Sequence, residues 1–163
     1  MFKFKSLTAK LIFLGVLAFA FLSIYIVVGY IFMQHIYDAS AKINLARQLR
    51  SHSFELGWLV GEMAKPGYSP EHKEFLIRDF KQDMGVFENI IKDLRYGNKE
   101  KGVMPVKGKA LDIIIRFNEE WNSKLKPVLL NTLKLPYDKK VLMDIQEYNI
   151  RLPGYVYEID GFV

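Results

Sequence analysis

Three polar side chains on one stretch of chain invite a chemical reading: Arg50, Arg47 and Asn44. An arginine keeps its charge at every ordinary pH, and its planar guanidinium offers five N–H donors suited to an oxyanion. Wound as a helix, residues 36–64 put Arg50 at the heptad position of Ile36, Ile43, Gly57 and Ala64. A charge on a contact seam needs a counter-charge or water. If two copies pack along this seam, two Arg50 groups meet, and an anion between them relieves their repulsion. The expected chemistry is anion binding at a site shared across a dimer axis. Arg47 lies one turn earlier, about 60° off the seam, and is either a second anion ligand or an ordinary solvated charge. Asn44 either orients the site or hydrogen-bonds a neighbouring helix.

The helix that must position these groups has two apolar seams. Leu45, Leu49, Leu56, Leu59 and Met63 are bulky and suited to a bundle core. Ile36, Ile43, Ala46, Ser53 and Gly57 form the second seam, mostly of small residues that allow a close helix approach. That second seam is expected to carry the homodimer contact. His52 falls near the bulky seam, where a satisfied core histidine is expected. No two of His35, His52 and His72 have the i, i+3 or i, i+4 spacing of a metal pair. No metal site and no cofactor is expected.

Ile43-Asn44-Leu45-Ala46, then Leu49-Arg50 and Ser53, preceded by Asp38-Ala39, resembles the signature of bacterial nitrate/nitrite-sensing histidine kinases. It is equally similar to that of type IV pilus methyl-accepting chemotaxis transducers. Both resemblances imply the first periplasmic helix of a sensory four-helix bundle, and the nitrate sensors imply that Arg50 binds the anion at the dimer interface. The chain departs from the pattern where a glycine is usual and Arg47 stands, and where a methionine is usual and Ser51 stands. Arg47 would suit a larger or more highly charged ligand than nitrate. Asp93-Leu94-Arg95-Tyr96-Gly97, Pro105, and Glu120-Trp121 followed by Pro127 look like the second half of the pilus-transducer sensor domain. The resemblance covers most of residues 38–163.

From Leu11 to Met33 no charged residue occurs. At 1.5 Å per residue this reaches about 35 Å, enough for a hydrocarbon core of about 30 Å. Ala18-Phe19-Ala20 has the form of a signal-peptide cleavage site, but Phe21 to Met33 continues apolar beyond it, so an uncleaved anchor is expected. Lys3, Lys5 and Lys10 favour a cytoplasmic N-terminus over residues 1–10, a transmembrane helix over 11–33, and an extracytoplasmic domain over 34–163. Tyr30 and Tyr37 suit the outer interface.

The net charge of +5 does not point to nucleic acid. Without those three lysines, 20 basic residues face 18 acidic ones, with no basic run. There is no cysteine, which excludes disulfides and thiol chemistry. No P-loop, dinucleotide turn or nucleophile elbow occurs, so this segment is not expected to be an enzyme.

The spacing predicts an all-α fold, an antiparallel four-helix bundle whose first helix continues the membrane span. That helix stops at Lys65-Pro66-Gly67. Ser69-Pro70-Glu71 opens a second, with Leu76, Phe80, Met84, Phe87, Ile91 and Leu94 inward, ending at Tyr96-Gly97-Asn98. Residues 97–108 form a loop whose Lys99, Lys101 and Lys107, with Lys109, are solvated. A third helix starts near Lys109, buries Leu111, Ile114, Phe117, Trp121 and Leu125, and is kinked at Pro127 before Leu129, Leu130 and Leu133. Asp138 caps a fourth, with Val141 or Leu142, Ile145, Tyr148, Leu152, Val156, Ile159 and Val163 in phase, as one kinked helix or two stacked pieces around Pro153. The pattern still runs at Val163, where the chain looks cut.

The expected function is the ligand-sensing input domain of a bacterial membrane receptor, homodimeric, binding a small anion such as nitrate. A cytoplasmic signalling module should follow, either a histidine kinase, which is preferred, or a chemotaxis transducer. The alternative is a ligand-free domain that binds a partner protein in the periplasm.

Overall fold

The computed structural model describes residues 6–65, 67–133 and 139–160, with the backbone alone at Thr132, Lys139, Val141, Tyr155, Val156, Ile159 and Asp160. Lys3, Lys5, Pro66, Asp138 and Val163 lie outside the described residues, as does the expected Asp138 cap. The fold is all-α: α1 Leu7–Met63, α2 Pro70–Tyr96, α3 Lys109–Glu120, a π-helical turn Trp121–Leu125, α4 Lys126–Thr132 and α5 Lys139–Asp160. Two compact units divide the chain, Met1–Asp38 and Ala39–Val163. That division falls a few residues beyond the boundary expected at residue 34.

The first unit holds the apolar part of α1, the one helix among the described residues long and apolar enough to cross a membrane. None of its apolar window is buried within the chain, which is compatible with a membrane span. Its backbone polar groups are satisfied by the helix itself, which a hydrocarbon environment demands. Ser23 Oγ donates to the Phe19 carbonyl at 2.9 Å, so this hydroxyl is also satisfied locally. At the far end, Gln34 donates to the Tyr30 hydroxyl at 3.0 Å.

The second unit has one core. Leu45, Leu49, Leu56 and Leu59 of α1 are buried with Leu76, Phe80, Phe87, Ile91 and Leu94 of α2, as their spacing predicts, and Met63 and Met84 are packed at the margin. From the later helices come Ile114, Phe117, Trp121, Leu125, Leu129, Tyr148 and Leu152. Phe87 stacks at a tilt on Trp121 and Phe117, ring centroids 4.4 and 5.9 Å away. Aromatic pairs of this kind contribute about 0.5–1.5 kcal/mol beyond the area they bury. Trp121 is therefore a core residue, with its indole N–H donating to Glu88 at 3.1 Å. Leu142 is exposed, which leaves Ile145 as the first described core position of α5.

Ser69 caps α2 by accepting from His72 N at 3.3 Å, with Pro70 at the first helical position. Such a cap is worth about 1 kcal/mol. Gly97 ends the helix at φ +80°, and a Cβ there would lie 2.8 Å from Pro105 Cδ and 2.9 Å from the Val103 carbonyl. Only glycine fits. The loop that follows is ordered: Asn98 and Val103 exchange backbone hydrogen bonds, Val106 N donates to Leu94 O at 2.9 Å, and Val103 and Val106 are buried. Lys101 in this loop is not merely solvated, because it pairs with Asp93 at 2.6 Å.

Where a kink is expected at Pro127, the backbone leaves the α-helical pattern in the turn just before it. That turn is π-helical, with Lys126 N bonded to the Trp121 carbonyl five residues back. A proline clashes with the carbonyl four residues before it, and widening the preceding turn relieves that clash. Pro153, by contrast, lies inside α5, which continues past it as one helix.

Candidate functional site

Arg47, Arg50 and Asn44 are all exposed. At about 100° per residue they share one side of α1 with Phe54 and Trp58, which are 50% and 58% exposed. Ile43 lies on the same side and is half-buried, and Ile36, in the first unit, is exposed. The small residues expected to meet a second copy lie elsewhere. Ala46, Ser53 and Gly57 are buried inside the chain. A Cβ on Gly57 would lie 2.5 Å from Asn149 Oδ1 and 3.2 Å from Tyr148 Cε1. The Tyr148 hydroxyl donates to the Ser53 carbonyl at 3.1 Å, and Ser53 Oγ donates to the Arg50 carbonyl at 2.7 Å. Small residues do admit a close helix, and at Ser53 and Gly57 that helix is α5 of the same chain.

Burial of the Tyr148 ring pushes its hydroxyl well above the usual phenol range, with the nearby Asp83 charge adding to this. It therefore remains a neutral donor at every ordinary pH. This side chain joins α5 to α1 at the level of the arginine face.

On the opposite side of α1, His52 meets acids that its sequence neighbourhood only half announces. His52 Nδ1 is in direct contact with Asp83 Oδ1 of α2 and lies 3.7 Å from Glu55 Oε2 one turn along α1. It is a partly exposed histidine at the rim of the core rather than a residue sealed within it. Asp83 is 8% exposed, and its second oxygen is buried with no hydrogen-bond partner. Burial pushes this carboxyl above the usual range, against the pull of His52, and the Glu55 charge adds to the rise. Comparison of the three histidines with one another misses this cluster, because its members come from two helices and two are carboxylates. One signal was present. Asp83 falls in phase with the Leu76, Phe80 and Phe87 seam of α2, where a charged residue demands a partner.

A third feature is a cleft of about 430 Å³ between α5 and the π turn with α4, lined by Lys124, Leu125, Pro127, Asp144, Tyr148 and Arg151. Its two cations are engaged within their own helical stretches: Lys124 with Glu120 at 3.2 Å and Arg151 with Glu147 at 2.7 Å. The cleft therefore presents balanced charge rather than a field of one sign.

No protein-family model, curated protein or solved structure matches this chain.

Proposed function

We propose that this chain is the extracytoplasmic input domain of a bacterial membrane receptor, an antiparallel four-helix bundle that senses a small anion such as nitrate as a homodimer. In this reading the N-terminus is cytoplasmic, residues after Gln34 are periplasmic, and a signalling module follows in the full receptor. The observation that carries it is α1 itself. It is helical without a break from Leu7 to Met63, apolar and unburied through the span, and core-forming from Leu45 onward. A receptor that passes a small helix shift across a membrane needs such an element.

The dimer contact in this proposal runs along the exposed side of α1, through Ile43, Arg47, Arg50, Phe54 and Trp58. Ser53 and Gly57 support it from behind by holding α5. Aromatic side chains and arginine are the types enriched where proteins associate. An anion on this contact accepts hydrogen bonds from arginines of both chains, each worth about 1.5–3 kcal/mol. Ligand affinity and dimer affinity then rise together by linkage.

Sedimentation velocity of the detergent-solubilised chain, with and without sodium nitrate, tests this. Nitrate should tighten the dimer at least tenfold, roughly 1.4 kcal/mol, and Arg50→Ala should abolish the response while leaving helicity unchanged. A full nitrate response in Arg50→Ala would remove Arg50 from the site. Exposed Phe54 and Trp58 also favour the second reading, a surface for a partner protein, and an anion-independent dimer lost in Trp58→Ala would support it. For orientation, a reporter fused at Lys99 should be active only in its exported form, and cytoplasmic activity there would overturn the topology.

A further inference from the structure

The cluster on the other side of α1 holds an electrostatic imbalance that the helices alone do not resolve. Two carboxylates, Asp83 and Glu55, converge on a single imidazole nitrogen, with all three ligand atoms within 4.8 Å of one another. Even a protonated His52 carries one positive charge against two negative ones. Among the described ion pairs, neither carboxylate meets a lysine or arginine. The second Asp83 oxygen is buried without a donor, a state that costs about 1–3 kcal/mol for a polar group and more for a charged one.

We propose that His52 Nδ1, Glu55 and Asp83 form a binding site for a divalent transition-metal cation of the zinc type. A dication balances two carboxylates and leaves the imidazole neutral, the form in which it is a ligand. Donors about 2.1 Å from a tetrahedral ion stand roughly 3.4 Å apart, so the 3.7 Å between His52 Nδ1 and Glu55 Oε2 is close to the required edge. The direct contact of His52 Nδ1 with Asp83 Oδ1, by contrast, has to open as the ion enters, with the unpartnered Asp83 Oδ2 as the oxygen that can ligate. The ligand set is one imidazole and two carboxylates, which suits zinc and its first-row neighbours better than magnesium or calcium, whose shells are oxygen. Side-chain exposure rises from 10% at Asp83 to 24% at His52 and 53% at Glu55. The site is thus anchored in the core and open at its outer end, leaving a coordination position for water or a further ligand. It stands apart from the anion proposal, because residues 50 and 52 point about 200° apart around α1.

The test is a zinc titration of the EDTA-stripped, detergent-solubilised chain by calorimetry, with cobalt absorption as a second readout of a nitrogen- and oxygen-ligated ion. One zinc per chain is expected, and binding should weaken at least tenfold, on the order seen for disturbed metal shells, in His52→Gln and in Glu55→Gln. Glu55 is surface-exposed, so its variant keeps the test valid if the His52 or Asp83 variants fail to fold. His72→Gln, at an exposed histidine on α2, should bind as wild type. No zinc binding by the wild type at roughly micromolar free metal would overturn the proposal. So would unchanged binding in His52→Gln and Glu55→Gln, or binding lost in His72→Gln.

Discussion

Helix α2 buries two aspartates and treats them in opposite ways. Asp83 and Asp93 are each 8% exposed. At Asp93 both oxygens have donors: Asn98 Nδ2 at 2.9 Å and Lys101 Nζ at 2.6 Å. Burial alone would raise its carboxyl, but Lys101 and Asn98 outweigh that and hold it below the usual carboxylate range. At Asp83 one oxygen meets His52 and the other meets nothing. There burial prevails, and the carboxyl is pushed up. The residue type and the helix are the same, but Asp83 is more heavily desolvated, has the Glu55 charge beside it and lacks a second donor, and together these decide the direction. A completed network of this kind holds a loop in place. An incomplete one, beside a second carboxylate and open at one end, is suited to holding something else.

The largest effect that separates the two aspartates is expected at Asp93. Asp93→Ala removes the acceptor for both Asn98 and Lys101 and releases the loop of residues 97–108 from the end of α2. Hydrogen bonds to a charged group are worth about 1.5–3 kcal/mol, so a loss of about 2–3 kcal/mol is expected in denaturant unfolding of the solubilised chain. A loss under about 0.5 kcal/mol would make Asp93 a bystander and break the contrast. The same bond has a pH signature. Because the folded carboxyl is depressed, its stabilisation is present above the unfolded value and is lost as pH falls through the folded one. Wild type should therefore lose stability below about pH 4 more steeply than Asp93→Ala, which has no proton to gain there.

The contrast also marks what a sequence can convey about this molecule. The Ser69-Pro70 cap, the stop at Gly97 and the phase of Leu76, Phe80, Phe87 and Leu94 are local rules, and the helices follow them. The small residues Ser53 and Gly57 were legible as a place of close approach. What approaches them is set by a contact 95 residues away, Tyr148 on Ser53, and no periodicity in residues 36–64 names that partner. The same holds for His52 and Asp83, which lie 31 residues apart in sequence. The π turn before Pro127 escaped because a proline announces a bend without saying which side of it the backbone will yield on. The exposed arginine face was legible as a face, and whether a second copy covers it depends on chemistry outside one chain.

The smallest expected effect sharpens the comparison most, since its sign is opposite to that at Asp93. In metal-free buffer, Asp83→Asn keeps the shape of the side chain and removes a charge that its surroundings disfavour. The folded carboxyl is raised, so its contribution to stability is complete below the unfolded value and is lost as pH rises through the folded one. Asparagine does not titrate. The variant should match wild type near pH 4 and be the more stable of the two at pH 7, by no more than about 1 kcal/mol, the net worth of an ordinary hydrogen bond. With zinc added the order should invert, because only wild type keeps its ligand and gains stability by mass action. If Asp83→Asn instead loses more than about 1 kcal/mol at pH 7 without metal, His52 and Asp83 are an ion pair that stabilises the fold, as Lys101 and Asp93 do. The two aspartates of α2 would then differ only in degree.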